Sequence, residues 1–332
     1  MKSKKGILVL AVGLAAFLVA ATPLFGEPAI QRYFPQFEDS RFVLVNELTS
    51  LEEAAEKGPF PIEFLEEAKL SSLSSWEMTW SSGESYQIMV WEVLDDLGAY
   101  QLYTHWPSLS SRPESRRVSA PVGNWYSPDE SVFWRGNFLI SISGSRNRNL
   151  QEDEFTSLVR AFVENITLPN LLPVTISHLP EEEISGKTPL FYLGDGTLKT
   201  NQEFPEPLLR DIGFSDRIEI TAAEYGPDQN TLFLIGYPTH ELAREYSAQI
   251  KADLDGYFSS EPVFLKRSGL LVAVFKGPDD LAIKILDQVS YTPTIQYFQK
   301  KEDEPAPSAT KTFLGLITKA ILGTGTFIVF II

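Results

Sequence analysis

The pair His240–Glu241 is the feature of this sequence that most resembles a chemical site. An imidazole beside a carboxylate is a combination that metal centres and general acid–base catalysis both use. The spacing does not fit the zinc-binding pattern H-E-x-x-H, because Arg244 stands where the second histidine belongs. The other two histidines, His105 and His178, are distant along the chain. We therefore predict no metal and no cofactor; the alternative for a metal is a long-range site that joins all three histidines.

Motifs with a known catalytic mechanism are absent from the rest of the sequence. The chain has no G-x-S-x-G nucleophile elbow, no P-loop and no G-x-G-x-x-G fingerprint. It has no cysteine, which excludes a thiol nucleophile, an iron–sulfur cluster and any disulfide. Residues 193–196, LGDG, favour a turn. We predict no catalytic residues; the alternative is an extracytoplasmic hydrolase that uses some of the 44 acidic residues, with or without a metal.

Composition and charge limit the class of protein further. The 332 residues are 43% hydrophobic and 22% charged, which is typical of a globular chain with a sizeable core. The net charge of −16 disfavours binding to nucleic acid, whose phosphates attract cationic surfaces. The length is that of about two domains.

Both ends of the chain have membrane character. Residues 1–26 begin with Lys2, Lys4 and Lys5 and continue with an apolar stretch, as in a signal peptide or an uncleaved signal anchor. Residues 313–332 contain one charge, Lys319, and have the length of a transmembrane helix. Residues 299–312 are charged and rich in proline and alanine, which indicates a tether.

These two segments predict the location of the protein. The basic start favours translocation of the chain to the extracytoplasmic face of the cell envelope, anchored in the membrane. A buried C-terminal helix is the alternative for residues 313–332. No Lys or Arg follows Ile332, so we expect either that the natural chain continues or that this tail inserts unusually.

The region between these ends is predicted to be α+β, with two similar halves. In the first half (27–169), strand-like runs at 75–80 and 86–93 precede a helix, a hairpin at 131–144 and a second helix. The second half (170–298) repeats the order with runs at 217–225 and 231–238 and a hairpin at 262–277. Matching the halves places Leu97 opposite Leu242 and Gly98 opposite Ala243.

This order predicts strand–strand–helix–strand–strand–helix in each half, with mainly antiparallel sheets covered by amphipathic helices on one face. The apolar faces of the later helices support it. They consist of Phe155, Leu158, Val159, Phe162 and Ile166 in one half, and Leu281, Ile285, Leu286 and Val289 in the other. Internal duplication explains the similarity; chance likeness between two α+β units is the alternative.

A long insertion, residues 107–130, distinguishes the first half. It carries Arg112, Arg116 and Arg117, followed by Trp125 and Tyr126. Arginine and large aromatic residues are enriched at recognition surfaces. We call this segment the Arg/Trp loop and predict that it is an interaction loop; a surface loop without a partner is the alternative.

The residues around His240 also fit a structural role. Pro238 ends the strand because it cannot donate a ladder hydrogen bond. Thr239 is placed as the N-cap of the following helix, with His240 in its first turn. In the first half, residues 94–96 supply a cap without a histidine, which favours the structural interpretation.

Three passages, residues 172–196, 223–225 and 232–243, carry a resemblance to a family. Together they resemble an uncharacterised family of exported bacterial proteins, a domain of unknown function. The shared pattern is a strand ending in Y-P-T followed by an Ala-containing helix, here Tyr237, Pro238, Thr239 and Ala243. The resemblance is strongest over residues 171–250. It implies no catalytic residues and is compatible with a terminal membrane segment.

Taken together, the sequence predicts an exported, membrane-tethered binding or interaction module. Its expected partners are the membrane and a protein or small-molecule ligand, with no nucleic acid. The alternatives are the extracytoplasmic hydrolase and a structural component of a membrane complex.

Overall fold

A computed structural model describes most of the chain between residues 29 and 291. Its described residues belong to one compact unit that ends at Tyr291. Within this part of the chain, no helix is both long enough and apolar enough to cross a membrane. The predicted segments 1–26, 299–312 and 313–332 lie outside the described residues. The described ranges are 29–38, 40–81, 83–107, 124–126, 130–144, 152–185, 187–201, 203–204, 212–214, 218–228, 230–255 and 262–291.

The first sheet has six antiparallel strands. Their spatial order is β1-β2-β3-β6-β5-β4. Four helices accompany it, and a 3₁₀ turn at Ala29–Tyr33 precedes it. The strands are β1 (Ser40–Leu48), β2 (Leu70–Trp80), β3 (Ser85–Val93), β4 (Asn124–Tyr126), β5 (Glu130–Arg135) and β6 (Phe138–Gly144). The helices are α1 (Leu51–Lys57), α2 (Ile62–Glu67), α3 (Asp96–Thr104) and α4 (Glu152–Asn165).

The second sheet has five antiparallel strands in the order β10-β11-β9-β8-β7. Its strands are β7 (Leu190–Tyr192), β8 (Glu219–Tyr225), β9 (Asn230–Gly236), β10 (Val263–Ser268) and β11 (Leu271–Lys276). The associated helices are α5 (Val174–Ser177), α6 (Asp195–Leu198), α7 (His240–Asp255) and α8 (Asp279–Gln288).

The strand order is the same in both sheets. The first sheet has one extra strand, β4, at its edge. When β4 is left out and the strands of each sheet are counted along the chain, both sheets have the spatial order first, second, third, fifth, fourth. In each sheet a helix connects the third strand to the fourth, and another helix follows the fifth. The predicted α+β class with antiparallel sheets is confirmed. The sequence did not indicate β1, α1, α2, β7 or α6.

The prediction that helices cover one face of each sheet is wrong, because both faces are covered. On the first sheet, α3 packs with Trp91 and Trp134 on one face, whereas α4 packs with Ile88 and Ile140 on the other. The second sheet repeats this plan, with α7 and α8 on opposite faces.

The physical reason is visible in the central strands. In β9, Leu232 and Leu234 point to the α8 face, whereas Phe233 and Ile235 point to the α7 face, and all four are fully buried. Strands that are buried on both faces read as continuous apolar runs rather than as alternating patterns. The run LFLI is such a signal for a sheet covered on two sides.

Candidate functional site

The C-terminal end of α3 contacts the edge strand of the second sheet. Asp95 caps this helix, since its Oδ1 accepts the N–H of Gly98 at 3.0 Å. Gly98 lets the helix lie against α2, because a Cβ at this position would lie 2.5 Å from the backbone oxygen of Ala68. The glycine and the cap therefore fix where the polar residues at the end of α3 are placed.

Three side chains of α3 and its C-cap bind the free backbone edge of β7 and of the residue that follows it. Thr104 Oγ1 accepts the N–H of Phe191 at 3.1 Å, and His105 Nε2 donates to the Phe191 carbonyl at 2.9 Å. Gln101 Oε1 accepts the N–H of Leu193 at 3.1 Å. An unpaired strand edge is a template for aggregation, and here side chains occupy it instead of another strand.

A second contact between the two halves involves the carboxylate of Glu67, at the end of α2. Its Oε1 accepts the backbone N–H groups of Gly196 at 2.8 Å and of Thr197 at 3.1 Å, in the first turn of α6. Its Oε2 accepts the Thr197 hydroxyl and, at 3.4 Å, the side-chain amide of Gln101. Residues 193–196, interpreted from the sequence as a turn, thus open a short helix that holds this carboxylate.

A cavity of about 300 Å³ lies beside these contacts. The end of α3 forms one wall, and the second half forms the remainder, from β7, β8 and the segment after α6. The cavity is therefore assembled by both halves of the chain. Its lining consists of Thr104, His105, Lys187, Thr188, Leu190, Tyr192, Thr200, Asn201, Glu203, Ala222, Ala223, Glu224 and Thr231.

His105 is an uncharged polar group in this wall. Its ring lies edge-on to Phe64 and Tyr192, with centroids 4.9 and 4.8 Å away. Burial lowers the pKa of His105 to about 4, although its bond to the Phe191 carbonyl acts in the opposite direction. The imidazole is therefore neutral at pH 7. A carbonyl only accepts, so Nε2 carries the proton and Nδ1 is an acceptor.

The charged residues of the lining are held in ion pairs. Lys187 Nζ lies 2.7 Å from Glu224 Oε2, and Lys276 Nζ lies 2.5 Å from Glu203 Oε2. Tyr192 is buried, and its hydroxyl accepts the side-chain N–H of Asn201 at 2.9 Å. Burial raises the pKa of Tyr192, so its hydroxyl keeps its proton at neutral pH.

The four residues of the predicted family motif have structural positions in this fold. Thr239 Oγ1 accepts the N–H of Leu242 at 3.2 Å, which confirms its predicted role as the N-cap of α7. Pro238 follows the end of β9, and Ala243 is fully buried against the sheet. The Tyr237 ring is buried and stacks on Tyr246 at 5.4 Å.

The histidines do not form the long-range metal site that was the alternative. The rings of His178 and His240 lie 5.6 and 6.2 Å from the ring of Tyr291, whereas His105 lies against Tyr192 at the cavity. In the part of the chain that the structure describes, no group of three His, Cys, Asp or Glu residues is placed to hold a metal ion.

Of the Arg/Trp loop, the structure describes residues 107, 124–126 and 130. Arg112, Arg116 and Arg117 lie outside the described residues. Trp125 and Tyr126 are residues of β4, and Trp125 is the antiparallel ladder partner of Val132 in β5. The described chain before the loop ends at Pro107, two residues after His105 of the cavity wall.

No family model, no curated protein and no solved structure matches this chain. The resemblance carried by Tyr237, Pro238, Thr239 and Ala243 therefore stays a prediction.

Sequence reasoning missed the residues that build the junction. Glu67 and Gly196 are 129 positions apart, and His105 and Phe191 are 86 apart. No periodicity links such pairs. The one local signal was the pair of glycines at 194 and 196, which indicates close approach of another group as well as a turn.

Proposed function

We propose that this chain is an exported, membrane-tethered binding module of the cell envelope, and that its ligand site is the cavity between the two halves. The cavity itself carries the proposal. It combines polar groups from two parts of the chain in one concave site, which is the usual form of a small-molecule site. Residues 1–26 and 313–332 supply the predicted export signal and membrane segment.

We also propose that the two halves arose by internal duplication. The last ladder pair of β3 with β6 is Glu92–Phe138, and that of β9 with β11 is Gly236–Leu271. In each half the helix N-cap stands three residues beyond the first member of that pair. Asp95 and Thr239 are then equivalent, and both caps accept the N–H three residues further on.

The proposed equivalence shifts the pairing predicted from the sequence by one residue. Gly98 matches Leu242 rather than Ala243, and Ala99 matches Ala243. Both of these alanines are fully buried. The ladder pairs and the caps support this register.

The carboxylates of the cavity favour binding over hydrolysis. Glu203 and Glu224 each face a lysine at ion-pair distance. A catalytic pair needs one carboxyl to give a proton and the other to act as base or nucleophile. Carboxylates that are neutralised by lysines are better suited to shaping the wall of a binding site.

Cell fractionation tests the location. The full chain, expressed in a bacterial host, should stay with the membranes after alkaline carbonate washing and should be degraded by protease added to spheroplasts. Deletion of residues 313–332 should release the protein from the pellet. Recovery of the full chain in the soluble cytoplasm would contradict the proposal.

Binding is tested on the purified full chain. Small molecules that copurify with it should be identified by mass spectrometry and compared with those from an Ala222→Leu variant, whose larger side chain narrows the cavity. The variant should lose the ligand while its melting curve still shows a folded protein, a check that is needed because Ala222 is also part of the buried core. Equal retention by both proteins would place the ligand elsewhere.

A further inference from the structure

The lining of the cavity also indicates which ligands it accepts, an inference that depends on the cavity being the binding site proposed above. Hydroxyl-bearing side chains are the most numerous polar residues of its lining. They are four threonines and one tyrosine, and Asn201 adds an amide. These are the side chains that bind neutral polar groups rather than full charges.

The lysines and glutamates of the cavity do not change this character. Lys187 is paired with Glu224, and Glu203 is paired with Lys276 just outside the lining, so each charged residue of the wall already has an oppositely charged neighbour. A charged ligand would have to compete with one of these partly exposed ion pairs, at a small cost, or lose part of its own hydration without a counter-charge, at a larger cost. His105 adds no charge, because it is neutral at pH 7.

Three groups of the wall have hydrogen-bonding capacity that the described residues leave unused. His105 Nδ1 is an acceptor, since Nε2 is the nitrogen bonded to the Phe191 carbonyl. The Tyr192 hydroxyl accepts from Asn201 but donates to no described group. The Thr188 hydroxyl lines the cavity, has no hydrogen-bond partner within the described residues and can both donate and accept.

Such a set matches the hydroxyl groups of a ligand, because each of these is also both a donor and an acceptor. The wall has an apolar component as well, from the rings of His105 and Tyr192 and from Leu190 and Ala222. A ligand with C–H groups on one face and hydroxyls around its edge complements this mixture. At about 300 Å³ the cavity is at the small end of ligand sites, which span roughly 300–1,000 Å³.

We propose that the cavity binds a neutral, polyhydroxylated small molecule, of the size of one sugar or cyclitol ring, through Thr188, Tyr192 and His105.

The test uses the full chain in a detergent without a sugar headgroup, such as lauryldimethylamine oxide. Isothermal titration calorimetry compares glucose and myo-inositol with two charged analogues, glucuronate and glucosamine. We expect at least one neutral probe to bind with a Kd of about 10 mM or tighter, and both charged analogues to bind at least about tenfold more weakly.

Two variants connect binding to the cavity. Thr188→Val removes a hydroxyl at constant shape and should weaken the neutral probe by about five- to tenfold. Ala222→Leu should abolish its binding. The matched control is Thr79→Val, which makes the same change at an exposed position of β2 and should leave the affinity unchanged. Melting temperatures identify any variant that is misfolded. If Ala222→Leu is misfolded, Thr188→Val alone tests whether the probe binds in the cavity.

The outcomes separate the ligand class from the site. Tighter binding of glucuronate or glucosamine, lost in Ala222→Leu, would overturn the neutral ligand class and leave the cavity as the site. Binding of a neutral probe that neither variant changes would overturn the proposed contacts. A failure of all four probes to bind would overturn the ligand class; the site itself would then fall if Ala222→Leu also retained the copurifying molecules.

Discussion

The carboxylate of Glu67, at the end of α2, accepts the backbone N–H of Gly196 at the start of α6, with Oε1 and the amide nitrogen 2.8 Å apart. This bond joins the helices of the first half to the second half. Thr197 adds its own N–H and hydroxyl to the same carboxylate. Helix N-termini attract anions because their first amides have no partner within the helix. The cavity lies beside this contact, so the stability of the junction and the shape of the site depend on common residues.

Removal of this carboxylate should destabilise the protein. We expect Glu67→Ala to lower the free energy of unfolding by about 3 kcal/mol, since charge-assisted hydrogen bonds are lost and amides of α6 are left without their acceptor. Glu66→Ala, at the exposed neighbouring position, should change it by no more than about 0.5 kcal/mol. Chemical denaturation measures both, and equal effects would refute the role of Glu67.

A methyl group on Gly194 should disturb the same contact. The backbone there is extended, with a φ of −151°, so alanine causes no backbone strain. Its Cβ, however, would lie 2.2 Å from the carboxylate of Glu67. We expect Gly194→Ala to be destabilising alone and nearly neutral in a Glu67→Ala background, a coupling of at least about 1 kcal/mol in a double-mutant cycle. Additive effects would show that the clash is not with Glu67.

The buried His105 should make stability depend on pH. Its pKa is about 4 in the folded state and near 6.5 when unfolded, so the unfolded state binds the proton more readily between these values. The contribution is therefore fully present above pH 6.5 and is lost as pH falls toward 4. Between pH 7 and pH 5 the loss should be about 2 kcal/mol.

Urea titrations at several pH values measure this dependence. His105→Gln should reduce the slope between pH 7 and pH 5, whereas His178→Gln, away from the cavity, should retain the His105 contribution. Carboxylates titrate in the wild type and in both variants, so their contribution to the pH dependence of stability cancels in the comparison. An unchanged slope in His105→Gln would contradict the assignment.

Thr239 and His240 should contribute differently to the stability of the protein. Thr239 caps α7, so Thr239→Ala should cost about 1 kcal/mol of stability. His240 is exposed in the first turn, and His240→Ala should have an effect of less than about 0.5 kcal/mol. Denaturation midpoints of the two variants decide the matter. A larger loss for His240→Ala would give the histidine a role that its contacts do not explain.

Two buried tyrosines provide a matched pair. The Tyr225 hydroxyl donates to the Pro180 carbonyl at 2.9 Å, so Tyr225→Phe should cost about 1–2 kcal/mol. The buried Tyr237 hydroxyl has no hydrogen-bond partner among the described residues, so Tyr237→Phe should be neutral or stabilising. Thermal unfolding of both variants measures the difference. A loss in Tyr237→Phe equal to that in Tyr225→Phe would reveal a partner for Tyr237.

Local signals in the sequence were sufficient for most of the repeated elements. Pro238 predicts the end of β9, and Thr239 predicts the start of α7. The apolar spacing from Phe155 to Ile166 predicts which face of α4 is buried. Each depends on residues within a few positions of one another, where backbone geometry and burial have a fixed period. The number of covered faces was misjudged, although the continuous run at 232–235 contained that information.

The sequence by itself determined the α+β class, the strand stops and the helix caps, because these depend on neighbouring residues. The tertiary structure alone decided that Glu67 meets Gly196, that His105 is buried against Phe191, and that the two halves enclose a cavity. Such contacts join residues tens of positions apart, and packing selects them from many side chains of equal local character. His240 has an acidic neighbour, Glu241, that suggests a chemical site, but the fold leaves His240 exposed at the surface. His105 has no suggestive neighbour in sequence, and the folded chain places it in the wall of the cavity.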